Sequence, residues 1–333
     1  MSTPSNNQSL LENWTQKTFD TVEEGVLVAR HKLEETGLFS DEALAEIIDS
    51  HPPEHLGVST MGVDPNVFDW REGHRDGESG AELVELLKSG QLWVNIRRLL
   101  DFHPEHAAAI HSMYDEIEQN KSGFKAENRT ANLLLSSPTA WVPYHVDMPV
   151  NMLWHIRGSK RVWVYPPFDT RFASIEVLEK VCSGEWSEDV PYSTDYDRYA
   201  LVFDAKPGEL ITWPQLTPHR VRNLEGLNVS LSTEHKNARA RRRLNVHNAN
   251  YHLRKSFGVT PRSIEVDGPI AHSKQWLARA FRYADKFAGK EKEQFVYPKS
   301  FVVDANAPHG YRILEGQEHA VVAPHEELEP VAS

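Results

Sequence analysis

Between about Ala126 and His235 the chain passes through seven short runs rich in Val, Leu, Trp, Tyr and Thr, broken by Pro, Gly and Asp, with no helical stretch joining them. These runs are Thr130–Ser136, Asn151–Arg157, Arg161–Tyr165, Tyr199–Phe203, Glu209–Trp213, His219–Asn223 and Leu227–Glu234. Parallel strands need long, usually helical, crossovers, so the pattern predicts an antiparallel barrel or sandwich. The flanks read differently. From about Leu11 to Gln119 the pattern is mostly helical, as in Val22–Glu35 and in a helix opened by Ser40, with Asp41 and Glu42 in its first turn, and running to Ile48. After His235 it is helical again over Leu244–Phe257 and Ser273–Phe287, followed by a Pro- and His-containing tail from about Pro298. The predicted organisation is a helical extension at 1–120, a β core at 121–235 and a C-terminal helical extension with its tail at 236–333.

Composition narrows the chemistry. Cys182 is the one cysteine in 333 residues, so an internal disulfide and a Cys-rich zinc site are both excluded. Any metal must be held by His, Asp or Glu. Against 36 basic residues stand 48 acidic ones, a net charge of -12 that argues on electrostatic grounds against a general nucleic-acid binder. Lys236 to Arg262 nevertheless holds eight cations and no acid, a pattern expected of a solvated helix face paired with acidic surface elsewhere in the chain or on a second subunit. No run approaches the roughly 18 consecutive apolar residues of a membrane span, and Met1 to Gln8 is polar, so the expected location is cytoplasmic with no membrane partner.

Within the β core lie His145-Val146-Asp147 and, farther on, Pro218-His219. Residues i and i+2 of an extended segment point to the same side, so His145 and Asp147 can hold one ion while a distant strand adds His219. Two imidazoles and a carboxylate form a facial triad with open positions, the set used by non-haem Fe(II) oxygenases. In a chain with 17 histidines a His-x-Asp pair alone says little. Here it is accompanied by Asn151, by Gly158-Ser159-Lys160-Arg161 ahead of Pro166-Pro167, and by Gly208-Glu209 before Pro214 and His219.

With those offsets the stretch resembles the Jumonji-C and cupin-like Fe(II)- and 2-oxoglutarate-dependent oxygenases, especially the asparaginyl-hydroxylase branch that acts on hypoxia-inducible factor. The resemblance spans about 110 of the 333 residues. It implies a double-stranded β-helix, of jelly-roll or cupin type, in a mainly β protein with flanking helices. It also implies Fe(II) held by His145, Asp147 and His219 as the metal and catalytic residues, with 2-oxoglutarate and O2 as cosubstrates. The implied reaction hydroxylates an unactivated C–H of a small-molecule or protein substrate, with succinate and CO2 released. Lys160 matches the family lysine that pairs with the distal carboxylate of 2-oxoglutarate; a dianion in an apolar barrel needs such a cation. Many relatives use an Arg ten or eleven residues after the distal His instead, but those positions are Val229 and Ser230.

Asn151 is expected near the iron or cosubstrate. The branch's Thr just before His-x-Asp is missing, so the hydroxyl partner of the distal carboxylate is open between Tyr144, Thr130, Ser230 and Ser232. His155 replaces a family Gln and is either a contact to substrate or metal, or a satisfied core histidine. The insert from Phe168 to Arg198, with Tyr192, Asp195, Tyr196 and Asp197, is a candidate for substrate selection, as is the N-terminal extension. Trp141, Trp154, Trp163, Trp186 and Trp213 are expected in the core and pocket wall. A homodimer through the C-terminal helices is implied by relatives of this layout. The alternative reading is a cupin-type metal protein, an isomerase, dioxygenase or sensor that does not use 2-oxoglutarate; Lys160 discriminates, since such a protein has no use for a buried cation there.

Overall fold

The computed structural model describes residues 9–61, 69–287 and 298–318. Among them one sheet system of thirteen strands forms, β1 (Leu11–Glu12), β2 (Leu27–His31), β3 (Leu56–Thr60), β4 (Arg71–His74), β5 (Trp93–Ile96), β6 (Glu127–Ser136), β7 (Trp141–His145), β8 (Val150–Val164), β9 (Leu201–Ala205), β10 (Glu209–Thr212), β11 (His219–Lys236), β12 (Lys299–Val303) and β13 (Tyr311–Ile313). The helices are α1 (Gln16–Thr21), α2 (Asp41–Ser50), α3 (Gly80–Ser89), α4 (Leu99–Phe102), α5 (Pro104–Asn120), α6 (Ile175–Ser183), α7 (Ala238–Phe257) and α8 (Pro269–Phe287).

The spine is the antiparallel pair β8 and β11, running from Val150 opposite His235 to Val164 opposite His219, with shifts of register between Asn223 and Ser230. Each long strand changes its other neighbour halfway. Met152–His155 pairs with β10, whereas Lys160–Val164 pairs with β9; the first residues of β11 pair with β7 and the later ones with β6. The change occurs at Gly158, whose φ of +77° suits glycine and where a Cβ would come within 2.8 Å of the Leu227 carbonyl oxygen. Two sheets thus share two continuous strands and face each other, which is the expected double-stranded β-helix.

Alternation along β8 sorts the side chains. Met152, Trp154 and Ile156 join the large core that also holds Leu133, Leu135 and Leu231 and is covered by Leu44, Leu83 and Ile110 of α2, α3 and α5. Leu153, Val162 and Val164 point the other way, into the barrel with Ile211, Trp213 and Val221. Fully burying one such Leu or Val stabilises by about 1.5–3 kcal/mol. Ser40 caps α2 by accepting from the Ala43 N–H, as its sequence position suggested.

Several expectations change. Val22–Glu35 is not a helix: Leu27–His31 is β2, pairing with β1 and β10, with Ala29 and His31 buried and Val28 and Arg30 exposed. Pairing with the barrel edge overrides local helical pattern. The front piece is therefore mixed, adding five strands to the sheet system. Runs read as separate strands, 151–157 with 161–165 and 219–223 with 227–234, are single bent strands. Tyr199 ends a 3-10 turn, so that strand begins at Leu201, and β7 had not stood out as a run because Pro143 interrupts it. In the tail, β12 pairs in parallel with β4, so the sheet joins all three predicted regions. No described helix is long and apolar enough to cross a membrane.

The basic stretch is mostly a paired surface. Arg239 meets Glu24 (2.8 Å), Arg242 meets Asp267 (3.3 Å), Arg254 meets Glu176 and Glu179 (2.9 and 2.8 Å), Arg241 meets Glu127 and Lys255 meets Glu185.

Candidate metal centre and barrel interior

Strand pairing creates the triad. His145, the last residue of β7, stands opposite His219, the first of β11, with ring centroids 4.0 Å apart. Asp147 follows two residues later, its Oδ1 3.8 Å from His145 Nε2 and its Oδ2 3.4 Å from His219 Nε2. The three ligand atoms lie within 4.8 Å of one another. The rings are also held in a useful tautomer. His145 Nδ1 is 2.8 Å from the Pro143 carbonyl and His219 Nδ1 is 3.0 Å from that of Thr217. A carbonyl only accepts, so each Nδ1 donates and each ring turns its Nε2 toward Asp147. Burial, with His145 adding repulsion, holds the His219 imidazolium down to about 4, so this ring is neutral at pH 7. Two imidazole Nε2 atoms and a carboxylate converging on one point fit a divalent transition metal.

Around this point are groups that fix Asp147. Asn151 Nδ2 donates to Asp147 Oδ2 (2.9 Å) and to Ser232 Oγ (3.0 Å). Glu188, from the insert, accepts the Met148 N–H at 2.9 Å, and its own carbonyl accepts the Val146 N–H at 3.0 Å. Burial and then the Asp147 charge push its carboxyl up to about 7, and the same two causes push Glu234 of β11 up to about 7. Neither glutamate was picked out from sequence. Glu234 had a signal, because it continues the inward alternation of Ser230 and Ser232; Glu188 had none, lying in an irregular insert.

Deeper in the barrel, Lys160 shares its strand face with Val162 and Val164 and is only 5% exposed. Among the described residues its ammonium makes no hydrogen bond and no ion pair, and burial alone pulls it down to about 7. His155 is fully buried, with Nε2 donating to the Gly158 carbonyl (2.9 Å) and Nδ1 3.0 Å from Ser230 Oγ. Burial and the neighbouring Lys160 charge hold it down to about 3, so it is a neutral, satisfied ring rather than a metal ligand.

Tyr144 does not come to this interior. Its hydroxyl donates to the Phe172 carbonyl (2.8 Å), and the ring packs with Tyr165, Val190 and Leu216 under the insert. The reason is the local geometry of β7: turning His145 toward Asp147 sends the preceding side chain outward. Of the other hydroxyl candidates, Thr130 is exposed and bonds Glu234, Ser232 serves Asn151, and Ser230 serves His155. Asp197 accepts from Tyr165, Tyr192 and Arg220 (2.6, 2.7 and 2.7 Å), which makes it the hub of the insert's own packing. Trp154 and Trp213 are buried in core and barrel, while Trp163 lies 3.7 Å under the Arg220 guanidinium.

A family profile described as a cupin-like domain matches residues 85–237, just under half of the chain. No curated protein matches the chain. Among solved structures, an X-ray structure of Escherichia coli YcfD is 14% identical with a TM-score of 0.47, covering 83% of this chain and 68% of that one. Escherichia coli YcfD, described as a ribosomal oxygenase, is also similar in complex with cobalt and 2-oxoglutarate, at 14% identity and a TM-score of 0.46, and with cobalt and succinic acid, at 14% and 0.44. In each case 90% of this chain and 76% of that one are covered. Likeness of this degree transfers no residue role. The profile match and the strand topology agree on the fold: residues 85–237 of this chain match a cupin-like domain and lie in a double-stranded β-helix.

Proposed function

We propose that this protein is an Fe(II)- and 2-oxoglutarate-dependent oxygenase that hydroxylates an unactivated C–H of a small-molecule or protein substrate, releasing succinate and CO2. The observation that carries the reading is Lys160, a buried cation with no acidic partner among the described residues, inside the barrel that holds the His145, Asp147 and His219 donors. An unpaired buried ammonium is costly, and a carboxylate delivered by a ligand relieves that cost. A metal protein that takes no diacid has no such need.

In this reading His145, Asp147 and His219 would hold the iron, which supplies the redox chemistry with O2 when bound. Asn151 keeps the Asp147 carboxylate turned toward the two Nε2 atoms. Lys160 receives the distal carboxylate of 2-oxoglutarate. Leu153, Val162, Val164, Ile211 and Trp213 wall the space and exclude water. The expected location is the cytoplasm.

The test is an anaerobic titration with Fe(II) and 2-oxoglutarate, monitored through the weak visible charge-transfer band of the chelate. Wild-type protein should develop the band, His219→Ala should lose it, and Lys160→Met should need at least tenfold more 2-oxoglutarate. Metal binding on which 2-oxoglutarate has no effect would overturn the reading and favour the cupin-type alternative.

A further inference from the structure

Arg243 departs from the pairing that surrounds it. Its neighbours Arg239, Arg241 and Arg242 each reach a carboxylate, but Arg243 donates only to the neutral Oε1 of Gln215 (3.1 Å) and lies 4.6 Å from the centre of the Phe168 ring. Among the described residues no carboxylate pairs with it. Burial pulls it down to about 10, still charged at neutral pH. One turn along α7, His247 is 98% buried by its 2% exposure, and its Nδ1 has no hydrogen-bond partner.

Both residues line a cavity of about 270 Å3 between α7, the start of the insert and the loop that leads into His219. Its remaining walls are mainly apolar, with Phe168, Leu178, Leu216 and Ile264. Of the two acids at its edge, Asp169 is engaged by Arg171 (2.6 Å) and Glu265 is exposed. The cavity therefore combines one guanidinium without a carboxylate partner and an apolar chamber.

We propose that this cavity binds a small amphipathic monocarboxylate, its carboxylate on Arg243 and its body between Phe168, Leu178, Leu216 and Ile264. A planar guanidinium matches a carboxylate through paired N–H bonds. The charge also selects: Arg239, the other arginine in the lining, is already paired with Glu24, so the one open positive charge is balanced by a monoanion, while a phosphate dianion would leave negative charge buried. The volume lies just below the range usual for drug-sized ligands, which suits a short aliphatic acid. This site is separate from the Lys160 interior and takes a different ligand.

Hexanoate is the probe, titrated calorimetrically into the full chain, with acetate and inorganic phosphate as comparisons. Hexanoate should bind more tightly than acetate, and its affinity should fall at least tenfold in Arg243→Met and in Leu178→Trp, which fills the chamber without touching the guanidinium. It should persist in Lys160→Met. Absence of hexanoate binding, indifference to both cavity variants, or loss in Lys160→Met would each overturn the proposal. So would Arg243-dependent binding of phosphate without hexanoate. If Arg243→Met fails to fold, Leu178→Trp and the preference for hexanoate over acetate decide the matter.

Discussion

The two ends of the barrel carry opposite electrostatic problems. At the mouth, burial and then the nearby Asp147 charge push the carboxyls of Glu188 and Glu234 up to about 7. At the floor, Lys160 and the neutral His155 leave a cation with nothing to balance it. The lesson is that the barrel's own side chains polarise it along its length, with an excess of negative charge where a cation would sit and of positive charge where a carboxylate would sit. Each end is built for a partner of the opposite sign.

The largest effect should come from removing the mouth's ligand. Asp147→Ala is expected to weaken Mn(II) binding, read by electron paramagnetic resonance, by at least about a hundredfold, equivalent to about 2.8 kcal/mol. Undiminished binding would place the metal elsewhere. Next comes the floor. Lys160→Met replaces a buried unpaired charge by an apolar chain of similar length and should stabilise the ligand-free protein by about 1–4 kcal/mol, visible as a higher melting temperature. Asn151→Ala frees the Asp147 carboxylate and should cost about tenfold in metal affinity, the lower end of what outer-sphere partners contribute.

The two ends should also respond to pH in opposite directions. Glu188 and Glu234 ionise near 7 in the fold but near 4.5 when unfolded, so between these values the folded state holds more protons and stability falls as pH rises. Lys160 releases its proton near 7 in the fold and near 10.5 when unfolded; over that window the unfolded state holds more protons, and stability rises with pH. In chemical denaturation, Glu188→Gln should flatten the lower limb and Lys160→Met the upper one. A variant that left its own limb unchanged would break the contrast. The smallest change is Tyr144→Phe, which should cost about 1 kcal/mol of stability through the lost bond to the Phe172 carbonyl and leave 2-oxoglutarate affinity within about twofold.

Much of the barrel was legible because its information is local. Strand runs, the i and i+2 placement of His145 and Asp147, and the family spacing to Lys160 all lie within short windows. The structure does bring His145, Asp147 and His219 together and turns Lys160 inward. What stayed hidden depends on pairing partners. Leu27–His31 becomes a strand because β10 offers it an edge, and Lys299–Val303 because Arg71–His74 does. Tyr144 turns outward since one residue decides the face of a strand, and Glu188 reaches the mouth only through the fold of the insert. The half-buried Arg243 was indistinguishable, in sequence, from the paired cations beside it.

The pairing of β12 with β4 sets a schedule for the growing chain. Lys299 and Glu72, which meet across this contact, are 227 residues apart. At about 5–20 residues per second, roughly 10–45 s of synthesis separate the two strands. Throughout that interval β4 leaves the ribosome with β3 as its partner and its other edge open, the kind of edge that invites pairing between chains. Closing that edge, rather than stabilising the finished barrel, is the earliest consequence of β12 for the chain.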